Sequence, residues 1–148
     1  INEAHQERIR NKAVKRELDN IFTYSSLESY IEDYDGGLSD VILTEVIEHM
    51  SLEDAEELIK SICRNINFET MVITTPNQEF NKFYELDEEL RHDDHKWEFG
   101  KEKFRNWISG ILEKEEISYV EIGDNVDGLS TTQGVIVKRI RDNGEENR

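Results

Sequence analysis

The sequence predicts an α/β domain whose mostly parallel sheet ends in an antiparallel pair of strands. Two apolar runs, residues 40 to 43 and 70 to 74, flank a strongly amphipathic stretch at residues 52 to 65. Apolar runs without alternation are typical of buried parallel strands, whereas apolar residues spaced three and four apart are typical of a helix. One more helical stretch and two more strand-like stretches follow, so the order is strand, helix, strand, helix, strand, strand.

The beginning of the chain is predicted to contain short elements. A weak apolar stripe over residues 2 to 18 indicates a solvent-facing helix. Residues 21 to 24, Ile-Phe-Thr-Tyr, are typical of a short strand, and residues 27 to 34 of a short amphipathic helix. Asp35-Gly36-Gly37 ends that helix.

The central part carries the clearest signals. The strand at residues 40 to 43 is expected to be covered on both faces. Ser51 is a good N-cap for the helix at residues 52 to 65, and Cys63 lies on the apolar stripe of that helix, where we expect a small core residue.

After the turn at Pro76, the chain is predicted to form a long functional loop with short helical pieces over residues 78 to 99. The remaining predicted segments are a helix at 101 to 114, a strand at 117 to 122, a loop at 123 to 132, a strand at 133 to 139 and a frayed polar tail at 143 to 148.

Composition excludes several classes of function. The formal net charge of -16 argues against a broad phosphate-binding face. The single cysteine excludes an internal disulfide and a cysteine-based zinc site, which fits the cytoplasm. No apolar stretch approaches the roughly 20 residues of a membrane span. Glycine-rich nucleotide-binding motifs and the Gly-x-Ser-x-Gly motif of hydrolases do not occur.

The length of 148 residues is typical of one domain. The chain begins with Ile1-Asn2-Glu3, which is no ordinary start. We therefore expect a single domain that belongs to a longer protein.

A group of possible metal ligands follows the first apolar strand. Glu45, Glu48 and His49 are spaced i, i+3 and i+4, so a helical turn after Leu43 would place all three on one face. His92 or His95 would add a further imidazole. Carboxylate and imidazole ligands favour Mn, Mg, Fe or Co over a structural zinc. The alternative is that these residues are only a charged helix face.

Basic and aromatic residues surround the two later histidines. The basic residues could hold one or two phosphates or be ordinary solvated charges, and the aromatic residues could stack a base or pack down as a lid. The basic residues are Arg91, Lys96, Lys101, Lys103 and Arg105, and the aromatic residues are Phe80, Phe83, Tyr84 and Trp97.

Four segments together resemble the motifs of a known family. They are Glu45-Val46-Ile47-Glu48-His49, residues 74 to 81 (TTPNQEFN), residues 91 to 99 (RHDDHKWEF) and Thr131-Thr132-Gln133. In this order and spacing they resemble the motifs of the small-RNA 3'-terminal ribose 2'-O-methyltransferases, which occur in plant and animal small-RNA pathways and in bacterial RNA repair.

The resemblance implies a Rossmann-like sheet with an antiparallel C-terminal strand and methyl transfer from S-adenosyl-L-methionine (AdoMet). A cation, Mn²⁺ or Mg²⁺, would bind the 2'- and 3'-hydroxyls of the terminal nucleotide. By motif position its ligands would be Glu45, Glu48, His49 and His95, with His92 as a neighbour. The cation and His49 would assist deprotonation of the 2'-hydroxyl, which would then attack the AdoMet methyl group in line.

The resemblance also implies partners. The substrate would be the 3' end of a small RNA or of a cleaved tRNA, close to Arg91, Lys96 and Asn77, and an RNA-repair kinase-phosphatase or ligase is the expected protein partner. The chain departs from the family pattern at Trp97-Glu98-Phe99, where the family has Phe-Glu-Trp.

A larger departure concerns the cofactor. Family members begin the fold with two strands and a glycine-rich AdoMet loop, which this sequence lacks, so Ser26 is the one AdoMet contact that the resemblance implies. We expect the chain alone to be weakly active or inactive, with exposed strand edges and poor solubility. Two alternatives remain open: a metal-dependent phosphohydrolase and a non-catalytic acidic interaction module.

Overall fold

The computed structural model of the chain describes residues 3–16, 19–86 and 89–141. The chain divides into two units, residues 1–37 and residues 38–148. Among the described helices, none is long and apolar enough to cross a membrane. The predicted tail at 143 to 148 lies outside the described residues.

The described residues of the first unit form two helices, α1 (Glu3–Lys15) and α2 (Leu27–Asp33). The predicted solvent-facing helix is confirmed, because most described side chains of α1 are exposed. The predicted strand at residues 21–24 is wrong, since this segment has no ladder partner among the described residues. Phe22 is 74% exposed, so neither hydrogen bonding nor burial stabilises a strand there.

The second unit is built on a sheet of four strands in the order β1-β2-β4-β3. The strands are β1 (Ser39–Thr44), β2 (Phe68–Pro76), β3 (Glu116–Val126) and β4 (Leu129–Lys138). β1 and β2 are parallel, and β4 is antiparallel to both β2 and β3. This arrangement confirms the predicted sheet that begins with parallel strands and ends with an antiparallel pair.

Helix α3 (Leu52–Asn65) connects β1 to β2, and its predicted bounds are confirmed. Its N-cap is Ser51, whose side chain accepts a hydrogen bond from the amide of Asp54. Cys63 is half-buried, and burial raises the pKa of its thiol. Helix α4 (Lys101–Ile111) precedes β3 and ends three residues earlier than predicted.

The core of the second unit lies on one face of the sheet. Met71 and Ile73 of β2 are fully buried beside Val137 and Val135 of β4, their partners in the ladder. Fully buried side chains of the two helices complete this core: Ala55, Ile59, Phe104 and Ile108. The burial of these side chains is the main stabilising contribution to the unit.

The prediction that β1 is covered on both faces is wrong for the described residues. Exposure alternates along the strand, and Ile42 is 68% exposed. An uninterrupted apolar run cannot distinguish a strand with two covered faces from one with a single covered face, because only the neighbouring elements decide this.

The predicted loop at residues 123 to 132 is also wrong, because β3 and β4 form one long hairpin. Its turn is Asp127-Gly128, and both residues have positive φ, 52° and 79°. Two successive positive φ values are typical of a type I′ turn, for which Asp-Gly is a favoured sequence. The local signal for the hairpin is therefore present in the sequence.

The predicted long loop with short helical pieces is confirmed between β2 and α4. It contains a 3-10 helix at Gln78–Tyr84 and returns to β2 through a bridge between Asn77 and Phe99. The side-chain amide of Gln133 on β4 donates to the carbonyl of Phe99 at 2.6 Å. These contacts fix the end of the loop, here called the 91–99 loop, beside the carboxyl ends of β1 and β2.

Candidate metal centre

The turn after β1 places two of the predicted ligands together. A 3-10 helix at Ile47–His49 carries Glu48 and His49. The prediction that one helical turn holds Glu45 as well is wrong, because Glu45 has a left-handed backbone (φ 51°) and precedes this helix. Its amide donates to the carbonyl of Thr74 at 3.1 Å, so Glu45 is tied to β2 directly after the end of the ladder.

His95 completes a compact cluster with these two residues. One ligand atom each from Glu48, His49 and His95 lies within 4.8 Å of the others. The rings of His49 and His95 meet edge to face, with 4.7 Å between their centroids. Three side chains from two separate segments of the sequence therefore converge as one carboxylate and two imidazoles.

Two hydrogen bonds hold the 91–99 loop against the turn. The amide of Lys96 donates to the carbonyl of Glu48 at 2.7 Å. The indole of Trp97 donates to the carbonyl of Met50 at 3.0 Å. The donors, Lys96 and Trp97, directly follow His95, and the acceptors, Glu48 and Met50, directly flank His49. The two bonds therefore set the distance between the two histidines.

Glu48 is the most deeply buried member of the cluster. One carboxylate oxygen accepts a hydrogen bond from the hydroxyl of Thr75 at 3.4 Å, and the other, Oε1, has no hydrogen-bond partner among the described residues. Burial raises the pKa of Glu48, and the nearby carboxylate of Glu45 adds to the rise; a backbone hydrogen bond and the two histidines act in the opposite direction.

An unsatisfied buried carboxylate oxygen is costly unless it has a cationic partner. Glu48 contributes one carboxylate oxygen to a cluster whose other ligand atoms are imidazole nitrogens, and its Oε1 has no hydrogen-bond partner among the described residues. This donor set fits a divalent cation, since carboxylate oxygen and imidazole nitrogen are ligands of Mn²⁺ and related ions.

His95 is oriented by a second carboxylate. Its Nδ1 lies 2.6 Å from Oε1 of Glu98, and both side chains are buried. An ionised carboxylate only accepts hydrogen bonds, so a neutral imidazole paired with it would carry its proton on Nδ1. The lone pair of Nε2 is then left for the cluster.

His49 has a similar but more exposed partner. Its Nδ1 lies 3.1 Å from Oδ2 of Asp94, and its side chain is 39% exposed. His49 is therefore the member of the cluster that solvent or a ligand reaches most easily.

The cluster opens into a cleft of about 440 Å³. Glu45 lines this cleft and accepts a hydrogen bond from the hydroxyl of Thr74 at 2.9 Å. Glu45, the remaining predicted ligand, thus lines the same cleft without joining the close cluster. His92 and Arg91 also line the cleft, and the rings of His92 and His95 are 5.0 Å apart.

Two of the three residues predicted to lie near RNA hold the protein together. The guanidinium of Arg91 donates to the carbonyls of Thr131 and Asn77 and to the side-chain oxygen of Asn81. The side chain of Asn77 donates to the carbonyl of Ser130. Lys96, the third, is exposed on the 91–99 loop.

Three of the predicted aromatic residues, Phe80, Trp97 and Tyr84, divide into two groups. Phe80 and Trp97 are buried, which supports packing over base stacking for them. Tyr84 is 48% exposed, and the guanidinium of Arg91 lies 5.2 Å from the centre of its ring.

Ser26, the predicted AdoMet contact, belongs to the first unit. Its hydroxyl accepts a hydrogen bond from the amide of Ser29, and the Ser29 hydroxyl accepts from the amide of Ser26, which forms a capping box for α2. The described contacts of Ser26 are those of an N-cap.

Sequence reasoning missed the residues that support the ligands. Glu98 belongs to one of the quoted motifs without a predicted role, and Asn81, which donates to Glu98 at 2.6 Å, has none either. Neither residue lies in a periodic segment, so only the folded loop reveals their contacts. The one available signal was the position of Glu98 three residues after His95.

Comparison with known proteins assigns this arrangement to a family, although no family model matches the chain. The small RNA 2'-O-methyltransferase of Gallus gallus is 30% identical over 110 residues, which cover 70% of this chain and 29% of the relative. A chain in the structure of the Pnkp1/Rnl/Hen1 RNA repair complex is 31% identical with a TM-score of 0.76, covering 93% of this chain and 30% of that one.

A third comparison shows the fold. The structure of the methyltransferase domain of a bacterial Hen1 has a TM-score of 0.73 at 23% identity, covering 93% of this chain and 74% of that one. The chain spans between 13 and 29% of the length of its curated relatives. In sequence and in its Rossmann-like methyltransferase fold, the chain belongs to the small-RNA 2'-O-methyltransferase family.

Proposed function

We propose that this chain carries the metal-binding site of an RNA 2'-O-methyltransferase that acts on the 3'-terminal nucleotide and uses AdoMet as its methyl donor. The observation that carries the proposal is the convergence of Glu48, His49 and His95 in an open cleft. The names of the relatives supply the reaction class.

Glu48, His49 and His95 would hold Mn²⁺ or Mg²⁺, and Glu45 would complete the set from the wall of the cleft. A bound divalent cation holds neighbouring hydroxyls and lowers the pKa of a coordinated hydroxyl. The open side of the cluster is the side of His49, the more exposed histidine, and the terminal ribose would enter there.

His49 has one free lone pair for this task. Its Nδ1 lies 3.1 Å from Oδ2 of Asp94, so Nε2 is the nitrogen that would bind the cation. Metal binding and acceptance of a proton both need that lone pair, so the two roles exclude each other at a given moment. We assign metal binding as the role of His49 in the complex with the ribose, and this role assists deprotonation of the 2'-hydroxyl.

Recognition of the RNA would depend on the terminal sugar. A chain with a net charge of -16 has little to gain from many phosphate contacts, whereas a 2'-hydroxyl distinguishes RNA from DNA at one position. Lys96 would reach a phosphate, and the exposed ring of Tyr84 would stack a base near the end. Arg91 and Asn77 would maintain the shape of the cleft through their hydrogen bonds to backbone carbonyls.

AdoMet would supply the methyl group, and Ser26 of the first unit is its proposed contact. The substrates would be the 3' ends of small RNAs or cleaved tRNAs. A relative occurs in an RNA repair complex with Pnkp1 and Rnl, and we extend this to a repair kinase-phosphatase or ligase as the partner of the protein that carries this chain.

The experiment is a methyl-transfer assay with the protein carrying this chain at its natural length. Radiolabelled AdoMet, Mn²⁺ and RNA oligonucleotides that end in either a 2'-hydroxyl or a 2'-deoxy sugar are incubated together. We expect label only on the 2'-hydroxyl end, loss of activity with chelator, and loss in His95→Ala. Glu53→Ala, which changes an exposed carboxylate on α3, is the matched control.

Methylation of the deoxy end, or activity that ignores the chelator, would contradict the proposal. Turnover of phosphate esters without AdoMet would identify a phosphohydrolase instead. Unchanged biological function in both Glu48→Ala and His95→Ala would identify a non-catalytic interaction module.

A further inference from the structure

A buried carboxylate stands directly behind one ligand of the cluster. Glu98 is 7% exposed as a residue, and its Oε1 lies 2.6 Å from Nδ1 of His95. Nothing in the proposed reaction needs Glu98 to touch RNA or AdoMet. Its position nevertheless places a carboxylate against Nδ1 of the imidazole, which leaves Nε2 as the nitrogen for the cluster.

We infer that Glu98 is a positioning residue for the metal centre, which fixes the proton of His95 on Nδ1 and strengthens Nε2 as a ligand. This inference rests on the proposed metal site. A carboxylate on the distal nitrogen of a ligand histidine orients the ring and raises its basicity, and its loss commonly reduces metal affinity roughly 10- to 100-fold.

The remaining contacts of Glu98 show that its carboxylate is held in one orientation. Oε1 also accepts a hydrogen bond from the amide of Arg91 at 2.7 Å. Oε2 accepts from the side-chain amide of Asn81 at 2.6 Å. With donors on both oxygens, the carboxylate has little freedom to rotate away from His95.

Asn81 is in turn fixed by Arg91. Its side-chain oxygen accepts from Nε and Nη2 of Arg91 at 3.1 and 2.8 Å, which determines which end of the amide faces Glu98. The same guanidinium donates to the carbonyls of Asn77 and Thr131 at the ends of β2 and β4. A continuous series of hydrogen bonds therefore connects the sheet to the ring of His95.

The structure suggests a variant that separates charge from hydrogen bonding. In Glu98→Gln, the amide oxygen can still accept from His95 and Arg91, but its NH₂ group faces the NH₂ group of Asn81. The double variant Glu98→Gln/Asn81→Asp gives that NH₂ group an acceptor, and the introduced carboxylate would still accept from Arg91. The double variant loses the 3.3 Å hydrogen bond from Asn81 to the carbonyl of Glu89, where two oxygens would then face each other.

The experiment measures Mn²⁺ binding to the protein carrying this chain at its natural length, by electron paramagnetic resonance. We expect the double variant to bind Mn²⁺ at least about 10-fold more weakly than the parent chain, with an unchanged circular dichroism spectrum. Glu98→Leu is expected to bind more weakly still. Glu79→Gln, which changes a carboxylate that accepts from the amide of Lys101 in the same long loop, is the control and should bind like the parent.

A second readout follows the imidazole itself. Nitrogen-15 NMR of the metal-free chain should show a protonated Nδ1 on His95 in the parent and a mixture of tautomers in Glu98→Leu. If Glu98 has a purely structural role, the tautomer of His95 in Glu98→Leu and the Mn²⁺ affinity of the double variant will both equal those of the parent. That result would overturn the inference. Failure of the parent chain to bind Mn²⁺, or equal binding by His95→Ala, would instead overturn the proposed metal site.

Discussion

The clearest energetic prediction concerns Glu48 in the metal-free protein. Its carboxylate is buried, and one oxygen has no hydrogen-bond partner among the described residues. We expect Glu48→Gln to stabilise the chain in the presence of chelator, because the substitution removes a buried charge while keeping the shape of the side chain. The same substitution should abolish tight Mn²⁺ binding.

The magnitude follows from the missing partner. An unsatisfied buried polar group costs about 1 to 3 kcal/mol, and more when it is charged. The amide of glutamine would itself be only partly satisfied, so we expect a net gain of about 1 to 2 kcal/mol at pH 8. For a chain of this size the gain corresponds to an increase in Tm of roughly 2 to 8 °C.

The gain should depend on pH, because burial raises the pKa of Glu48 in the folded state. A group with a raised folded pKa stabilises the fold below its unfolded pKa and loses that contribution as the pH rises through the folded value. Glutamine does not titrate, so the advantage of Glu48→Gln should be smaller at pH 5.5 than at pH 8.

The assay is urea unfolding at both pH values in chelator, with Glu53→Gln as the control. Glu53 is exposed, and its substitution should change the free energy of unfolding by less than about 0.5 kcal/mol. In saturating Mn²⁺ the parent chain should have a larger free energy of unfolding than Glu48→Gln, because of these two only the parent gains stability from binding. A Glu48→Gln chain that is less stable than the parent in chelator at pH 8 would refute the reasoning.

Three further substitutions test the fold around the site. Trp97→Phe removes the hydrogen bond to the carbonyl of Met50 and should cost about 1 kcal/mol in urea unfolding; an unchanged midpoint would mean that this bond does not hold the 91–99 loop. Gly134→Ala would press a Cβ against the carbonyl oxygen of Ile73, so it should destabilise the fold by about 1 to 3 kcal/mol and lower the Tm. A variant with an unchanged Tm would contradict the close approach of β4 to β2. In Gly110→Ala the added Cβ would lie in open space on helix α4, so the variant should be more stable by up to about 1 kcal/mol. It is the control for Gly134→Ala in the same thermal assay, with an effect of opposite sign.

Local signals explain what could be predicted from the sequence. The bounds of α3 followed from the cap at Ser51 and from apolar residues at helical spacing, both of which act within a few residues. The hairpin turn at Asp127-Gly128 carried an equally local signal, but Gly123 and the Ser/Thr residues nearby favoured a loop instead.

Long-range contacts explain what could not be predicted. Residues 21–24 have strand-like side chains, but a strand also requires a partner, which the sequence does not display. Glu45 was expected in a helical turn because the spacing allowed it, whereas its backbone hydrogen bond to Thr74 holds it at the end of β1 with a left-handed backbone. The three clustered ligands were named from the sequence, but their support by Glu98 depends on the folding of the 91–99 loop.

The central claim is that Glu48, His49 and His95 bind one divalent cation. A crystal of the chain grown with Mn²⁺ and measured at the manganese absorption edge tests this claim most directly. We predict one strong anomalous peak per chain, within bonding distance of all three residues. A map with no peak at this cluster, or with its strongest peak among other acidic residues, would contradict the account.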